Sequence, residues 1–130
     1  MNVLLDTSAY SHLQRGNNAV LEVLRRSETV AVPAIVLGEL YSGFRAGTRW
    51  TENNALLERF LSKPSVKILD VTAETALRYA EIDVYLRKTG RPIPRNDVWI
   101  AATAIEHGLQ LLTLDEHFRE IPLLLLQPRA

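Results

Sequence analysis

Four carboxylates stand where an ordinary soluble domain has little use for them. Asp6 ends the apolar run NVLLD, and Glu39 interrupts the apolar stretch AIVLGELYSGF. Asp97 opens RNDVWIAATAIEHG, and Asp115 closes LQLLTLD. Taken singly, each has a plain explanation. Asp6 and Asp115 can cap the helices that follow them, with Thr113 an alternative cap beside Asp115. Asp97 suits the positive end of its own helix, and Asn96 can equally be the cap there. Glu39, on a helix apolar nearly all round, can pair with an arginine such as Arg45. Taken together, they describe one cluster. Carboxylates gathered at one place repel each other and bind protons more tightly unless a cation is present. An all-oxygen acidic site suits a hard divalent ion such as Mg²⁺ or Mn²⁺, which keeps waters and shares its coordination with phosphate. The chemistry so implied is metal-assisted hydrolysis of a phosphodiester.

For this to hold, the chain must bring all four acids to one rim. Short β-like runs alternate with longer helical ones: NVLLD, TVAVP, VKILDV and LQLLTLD read as strands. TSAYSHLQRG, NNAVLEVLRRS, AIVLGELYSGFRAG, TENNALLERFLS, TAETALRYAEIDVYLRKTG and RNDVWIAATAIEHG read as helices. EHFREI reads as a helical turn and PLLLL as a last short run. Alternation of this kind predicts a parallel sheet covered by helices on both faces, because parallel neighbours need crossover connections. Ligands in such folds bind beyond the carboxyl ends of the strands. Asp6 and Asp115 occupy that position, and Asp70, late in the third strand, is a further candidate. Ala101, Ala102 and Ala104 let their helix lie close to the sheet, which carries Asp97 toward the strand ends.

The remaining features narrow the class. At 130 residues, 47% hydrophobic and 23% charged, the chain reads as one globular domain spanning 1–130. The absence of cysteine rules out disulfides and zinc–thiolate sites and fits a reducing compartment. Apolar runs fall short of a membrane span and the N-terminus lacks a secretory pattern, so a cytoplasmic protein without membrane partners is expected. Lys+Arg and Asp+Glu are equal at 15 each, so any affinity for nucleic acid must come from a local patch.

LLDTSA, GELYSG, NDVWIAATA and LLTLDEHF resemble, in that order, the motifs of the PIN-domain ribonucleases, and of the VapC-type toxins of toxin–antitoxin pairs among them. The likeness runs from Asp6 to the final strand. It implies a three-layer α/β/α sandwich around a central parallel sheet and a Mg²⁺- or Mn²⁺-dependent endoribonuclease acting on RNA. By position, Asp6, Glu39, Asp97 and Asp115 match the family's acidic metal site; at Asp115, members vary. Thr7 or Ser8, Asn96 and Thr113 match its supporting polar positions. The same resemblance implies a VapB-like antitoxin as partner and a homodimer built through the helical face, where Tyr41, Phe44 and Trp50 are alternatively core.

Arg87, Lys88, Arg91 and Arg95 precede the Asp97 helix. They read either as an RNA-binding patch beside the acids or as ordinary helix-end and loop cations. Arg25, Arg26, Arg45 and Arg49 are secondary candidates. His12, His107 and His117 share no spacing that suggests a catalytic base and read as surface or helix-end residues. Rival classes fare less well. A haloacid-dehalogenase-like phosphatase needs an aspartate where Ser8 stands. A receiver domain would use Asp70 as phosphoacceptor and wants a lysine after its last strand, which PLLLLQPRA lacks. A catalytically weak PIN-like module that only binds RNA or protein is the non-enzyme alternative.

Overall fold

The computed structural model describes residues 1–128. Five strands form one all-parallel sheet in the order β3-β2-β1-β4-β5: β1 Asn2–Leu5, β2 Thr29–Pro33, β3 Val66–Leu69, β4 Gln110–Leu112 and β5 Leu126–Gln127. Six α-helices flank it: α1 Thr7–Gln14, α2 Asn18–Arg25, α3 Ala34–Ala46, α4 Trp50–Leu61, α5 Ala73–Lys88 and α6 Arg95–His107. The result is the expected α/β/α sandwich.

Strand β1 is the spine. Val3, Leu4 and Leu5 are fully buried, as a central parallel strand with both faces covered must be. From β1 the chain moves outward to β2 and β3, then crosses back to lay β4 against the opposite edge of β1. That reversal leaves a switch point beyond the carboxyl ends of β1 and β4, the place where open α/β sheets hold ligands. Leu5 pairs with Leu112 in register, and the ladder extends one step further through the Asp6 N–H, which donates to the Leu112 carbonyl at 3.2 Å. Asp6 is therefore fixed by backbone pairing at the mouth of this crevice.

Helix α6 packs as its alanines predict: Ala101, Ala102 and Ala104 are fully buried, with Val98 and Ile100 beside them. It runs into β4, so its N-terminus lies at the carboxyl rim. On its outer side Trp99 stacks on Tyr79 of α5, ring centroids 4.1 Å apart. Helix α5 opens with a capping box in which Thr72 and Thr75 satisfy each other's backbone N–H groups.

Several boundaries differ from expectation. Helix α4 starts at Trp50 rather than at Thr51, because Trp50 joins Tyr41 and Phe44 in an aromatic cluster. Helix α3 is less enclosed than its apolar sequence suggests: only Val36 and Leu40 are buried, and Gly38, Ser42 and Gly43 face outward. Strand β4 ends at Leu112, so Thr113, Leu114 and Asp115 form a loop into a 3₁₀ helix, Glu116–Glu120. Within PLLLL only the end is extended, and Leu123 is 90% exposed.

Candidate metal centre

The carboxyl rim gathers four predicted acids from four elements. Asp6 follows β1, Glu39 lies in the first half of α3 (which leaves β2 at that rim), Asp97 is in the first turn of α6, and Asp115 follows β4. Asp70 is elsewhere. It follows the edge strand β3, two strands from β1, and is exposed.

Asp6 is buried, 3% exposed, and held from three sides. Its Oδ1 accepts the Ala9 N–H at 2.8 Å, so it does cap α1. Thr113 Oγ1 donates to Oδ2, and the Ser8 hydroxyl lies 2.9 and 3.0 Å from the two oxygens. Ser8 in turn accepts the Leu114 N–H at 3.1 Å, and Thr113 accepts the Asp115 N–H at 2.9 Å. Three donor hydrogens meet about four lone-pair sites on an ionised carboxylate, which leaves room for one further ligand. The cap explanation and the metal explanation are compatible.

Glu39 makes no ion pair among the described residues, and Arg45 instead lies over the Trp50 ring, 4.1 Å from its centroid. Thr7 Oγ1 donates to Glu39 Oε1 at 2.7 Å, so Thr7 and Ser8 serve different acids. Asn96 is not the cap of its helix. Pro94 occupies the N-cap of α6, Asn96 is the second helical residue, and its side chain is exposed. The pre-proline restriction and the fixed proline geometry start the helix two residues earlier than a cap at Asn96 would.

The electrostatics tie the acids together. Burial pushes the Asp6 carboxyl above its ordinary value against the pull of its donors Thr113, Ala9 and Ser8, and the charge of Asp115 adds to the rise. Burial also raises Asp97. The His117 hydrogen bond opposes that rise, while Asp115 and Glu39 reinforce it. Among the described residues, no lysine or arginine lies within ion-pair distance of Asp6, Glu39, Asp97 or Asp115. Clustered, partly buried carboxylates with no guanidinium or ammonium partner are unstable as ions unless a cation joins them. This oxygen-rich donor set fits a hard divalent ion.

One residue at this rim is absent from the sequence-based expectation. His117 Nδ1 lies 3.1 Å from Asp115 Oδ1 and 3.2 Å from Asp97 Oδ2. Its spacing from the other histidines gave no sign of this. The usable signal was local: Asp115 caps the 3₁₀ helix by accepting the His117 N–H at 3.0 Å, which turns the ring back over the acid. A cleft of about 440 Å³ opens alongside, lined by Thr113, Leu114, Asp115, Glu116 and Arg119.

The basic stretch is only partly free. Arg91 is engaged by Glu120 at 2.7 Å and Arg87 by Asp83 at 2.8 Å. Lys88 and Arg95 are exposed and have no ion-pair partner among the described residues.

Residues 3–124 match the PIN domain. The chain belongs to the PIN-domain family. Among curated relatives, Ribonuclease VapC2 of Rickettsia felis is 34% identical over 108 residues, 82% of this chain and 79% of that protein. Ribonuclease VapC5 of Mycobacterium tuberculosis is 29% identical over 115 residues, 88% of this chain and 84% of that protein. Among solved structures, this PIN domain superposes on VapBC2 of Rickettsia felis, crystallised bound to a DNA fragment from its promoter, with a TM-score of 0.85 at 30% identity, covering 98% of each chain. VapBC-1 of nontypeable Haemophilus influenzae gives a TM-score of 0.87 at 25% identity, covering 98% of this PIN domain and 97% of that chain. No helix among the described residues is long and apolar enough to cross a membrane.

Proposed function

We propose that this PIN domain is a divalent-metal-dependent endoribonuclease, the toxin of a VapBC-type pair acting in the cytoplasm. The observation that carries the reading is the set of four carboxylates at the switch point with no arginine or lysine among the described residues within ion-pair distance of them. Relatives named ribonuclease VapC, and solved VapBC complexes, support it and supply the partner: a VapB-like antitoxin, with homodimerisation following the same likeness.

Asp6 and Asp97 are the principal ligands in this reading, and Glu39 and Asp115 act partly through water. Mg²⁺ or Mn²⁺ held there supplies Lewis-acid polarisation of a phosphoryl oxygen and a water made nucleophilic near neutral pH. The protein's own work is positional. Ser8 and Thr113 lock the Asp6 carboxylate, Thr7 aims Glu39, and the close packing of α6 holds Asp97 against the sheet. Purified chain, free of antitoxin, incubated with total RNA and Mg²⁺ or Mn²⁺ yields discrete fragments, and EDTA abolishes them. Cleavage that persists in EDTA contradicts the proposal.

RNA approach falls to the unpaired cations. Arg95→Gln raises KM for RNA and flattens its salt dependence by about 0.7 in log–log slope, one single-strand phosphate contact. Arg87→Gln, whose guanidinium already serves Asp83, has the smaller effect. Thermal unfolding of both variants stays within about 0.5 kcal/mol of wild type. Equal KM values for Arg95→Gln and wild type across a salt series exclude a phosphate contact at this residue.

A further inference from the structure

His117 is an exposed residue of the 3₁₀ helix, yet its ring nitrogen is turned toward the acids of the rim. Its Nδ1 faces two carboxylate oxygens from different elements at nearly equal distance, 3.1 Å to Asp115 and 3.2 Å to Asp97. One ligand atom from each of Asp97, Asp115 and His117 lies within 4.8 Å of the others. A single N–H cannot point well at both oxygens. A cation between the three atoms satisfies all of them. Neighbouring ligands in an octahedral shell with bonds of about 2.1 Å sit about 3.0 Å apart, close to both observed separations. The ring is oriented independently of any ion, because Asp115 caps the backbone at His117 and the buried Phe118 anchors the next position.

We propose that His117 Nδ1 is a direct ligand of the divalent ion, making this centre a mixed nitrogen–oxygen site that favours Mn²⁺ and other first-row transition ions over Mg²⁺. The proposal rests on the metal-centre reading above. Coordination uses the neutral ring with its proton on Nε2, so the ion takes the place of the Nδ1 hydrogen. Mg²⁺ is hard and gives up oxygen ligands reluctantly, whereas imidazole suits the transition series. The side chain is 51% exposed, so its replacement leaves the core untouched.

The test is electron spin echo envelope modulation on the Mn²⁺-loaded protein, together with Mn²⁺ and Mg²⁺ titration calorimetry. Wild type shows ¹⁴N modulation from a directly bound imidazole. His117→Gln loses it, and its Mn²⁺ affinity falls by about tenfold or more while Mg²⁺ affinity changes little. His107→Gln, on the far end of α6, keeps the wild-type signal. Mn²⁺ bound without ¹⁴N modulation, or with modulation surviving in His117→Gln, overturns the ligand assignment and leaves the carboxylate centre standing. Failure of Mn²⁺ and Mg²⁺ to bind wild type overturns the metal centre itself, and this proposal with it.

Discussion

Asp97→Asn abolishes RNA cleavage and leaves a folded protein that, without metal, is at least as stable as wild type at neutral pH. The two effects share one cause. A carboxylate that holds a divalent ion next to the scissile phosphate is worth several kcal/mol in the transition state, so its loss lowers kcat on the order of a thousandfold. In the absence of the ion the same carboxylate is a burden. Burial raises Asp97, and Asp115 and Glu39 push it further. Asp6 is raised as well. The sign follows from proton linkage. Between the ordinary aspartate value and the raised native one, the folded state holds more protons than the unfolded state, so metal-free stability falls as pH rises through that window and stays lower above it. The neutral amide of the Asp97→Asn variant removes this position's share of that loss. Melting temperatures of metal-free wild type and Asp97→Asn, measured from pH 3 to 8, converge at the acid end and separate in favour of the variant toward neutrality. A variant less stable than wild type at pH 7 contradicts the charge crowding, and retained cleavage contradicts the role.

Phe118→Ala costs about 3–5 kcal/mol of stability and most of the activity. Phe118 is 1% exposed and, with Ile121, pins the 3₁₀ helix into the core. That short element has little intrinsic stability, yet it carries His117 and is capped by Asp115. Emptying the Phe118 site leaves a large cavity and frees the loop that aims both side chains. Arg119→Ala provides the contrast at the adjacent position. Its pair with Glu116 spans one turn and is exposed on both sides, so stability changes by no more than about 0.5 kcal/mol. Urea unfolding of the two variants, with RNA cleavage at matched folded fraction, separates anchoring from surface charge. Equal stability of Phe118→Ala and wild type contradicts the anchoring role.

These elements also show how far the sequence could be read. The position of Asp6 was legible because an apolar parallel strand must be buried and must end at the rim, so the residue after it has one place to go. Asp97 was legible through its alanines: small side chains announce a helix lying close to the sheet. The partners were not legible. Glu39 looked like half of a salt bridge, but its neighbour is the Thr7 hydroxyl, 32 positions away, brought near by the start of α1. Asp97 and Asn96 were equally open as caps, but the pre-proline geometry of Ile93–Pro94 sets the helix start. His117 was invisible because its meeting with Asp97 spans 20 positions and depends on one 3₁₀ turn, which no periodicity signals. Arg91 read equally as a phosphate ligand and as an ordinary loop cation, and its partner Glu120 lies 29 positions further along the chain. Local pattern thus indicates which rim a residue reaches. Which atoms it touches there is decided by contacts distant in sequence.

Everything proposed for this rim requires that Asp6, Glu39, Asp97 and Asp115 share one divalent ion. A crystal of the wild-type chain grown or soaked with Mn²⁺ tests it directly through the anomalous difference map. The expected result is one dominant peak at the carboxyl ends of β1 and β4, within bonding distance of Asp6 and Asp97 oxygens, and its loss in Asp97→Asn. A map with no peak there, or with manganese bound elsewhere while the protein still cleaves RNA, contradicts it.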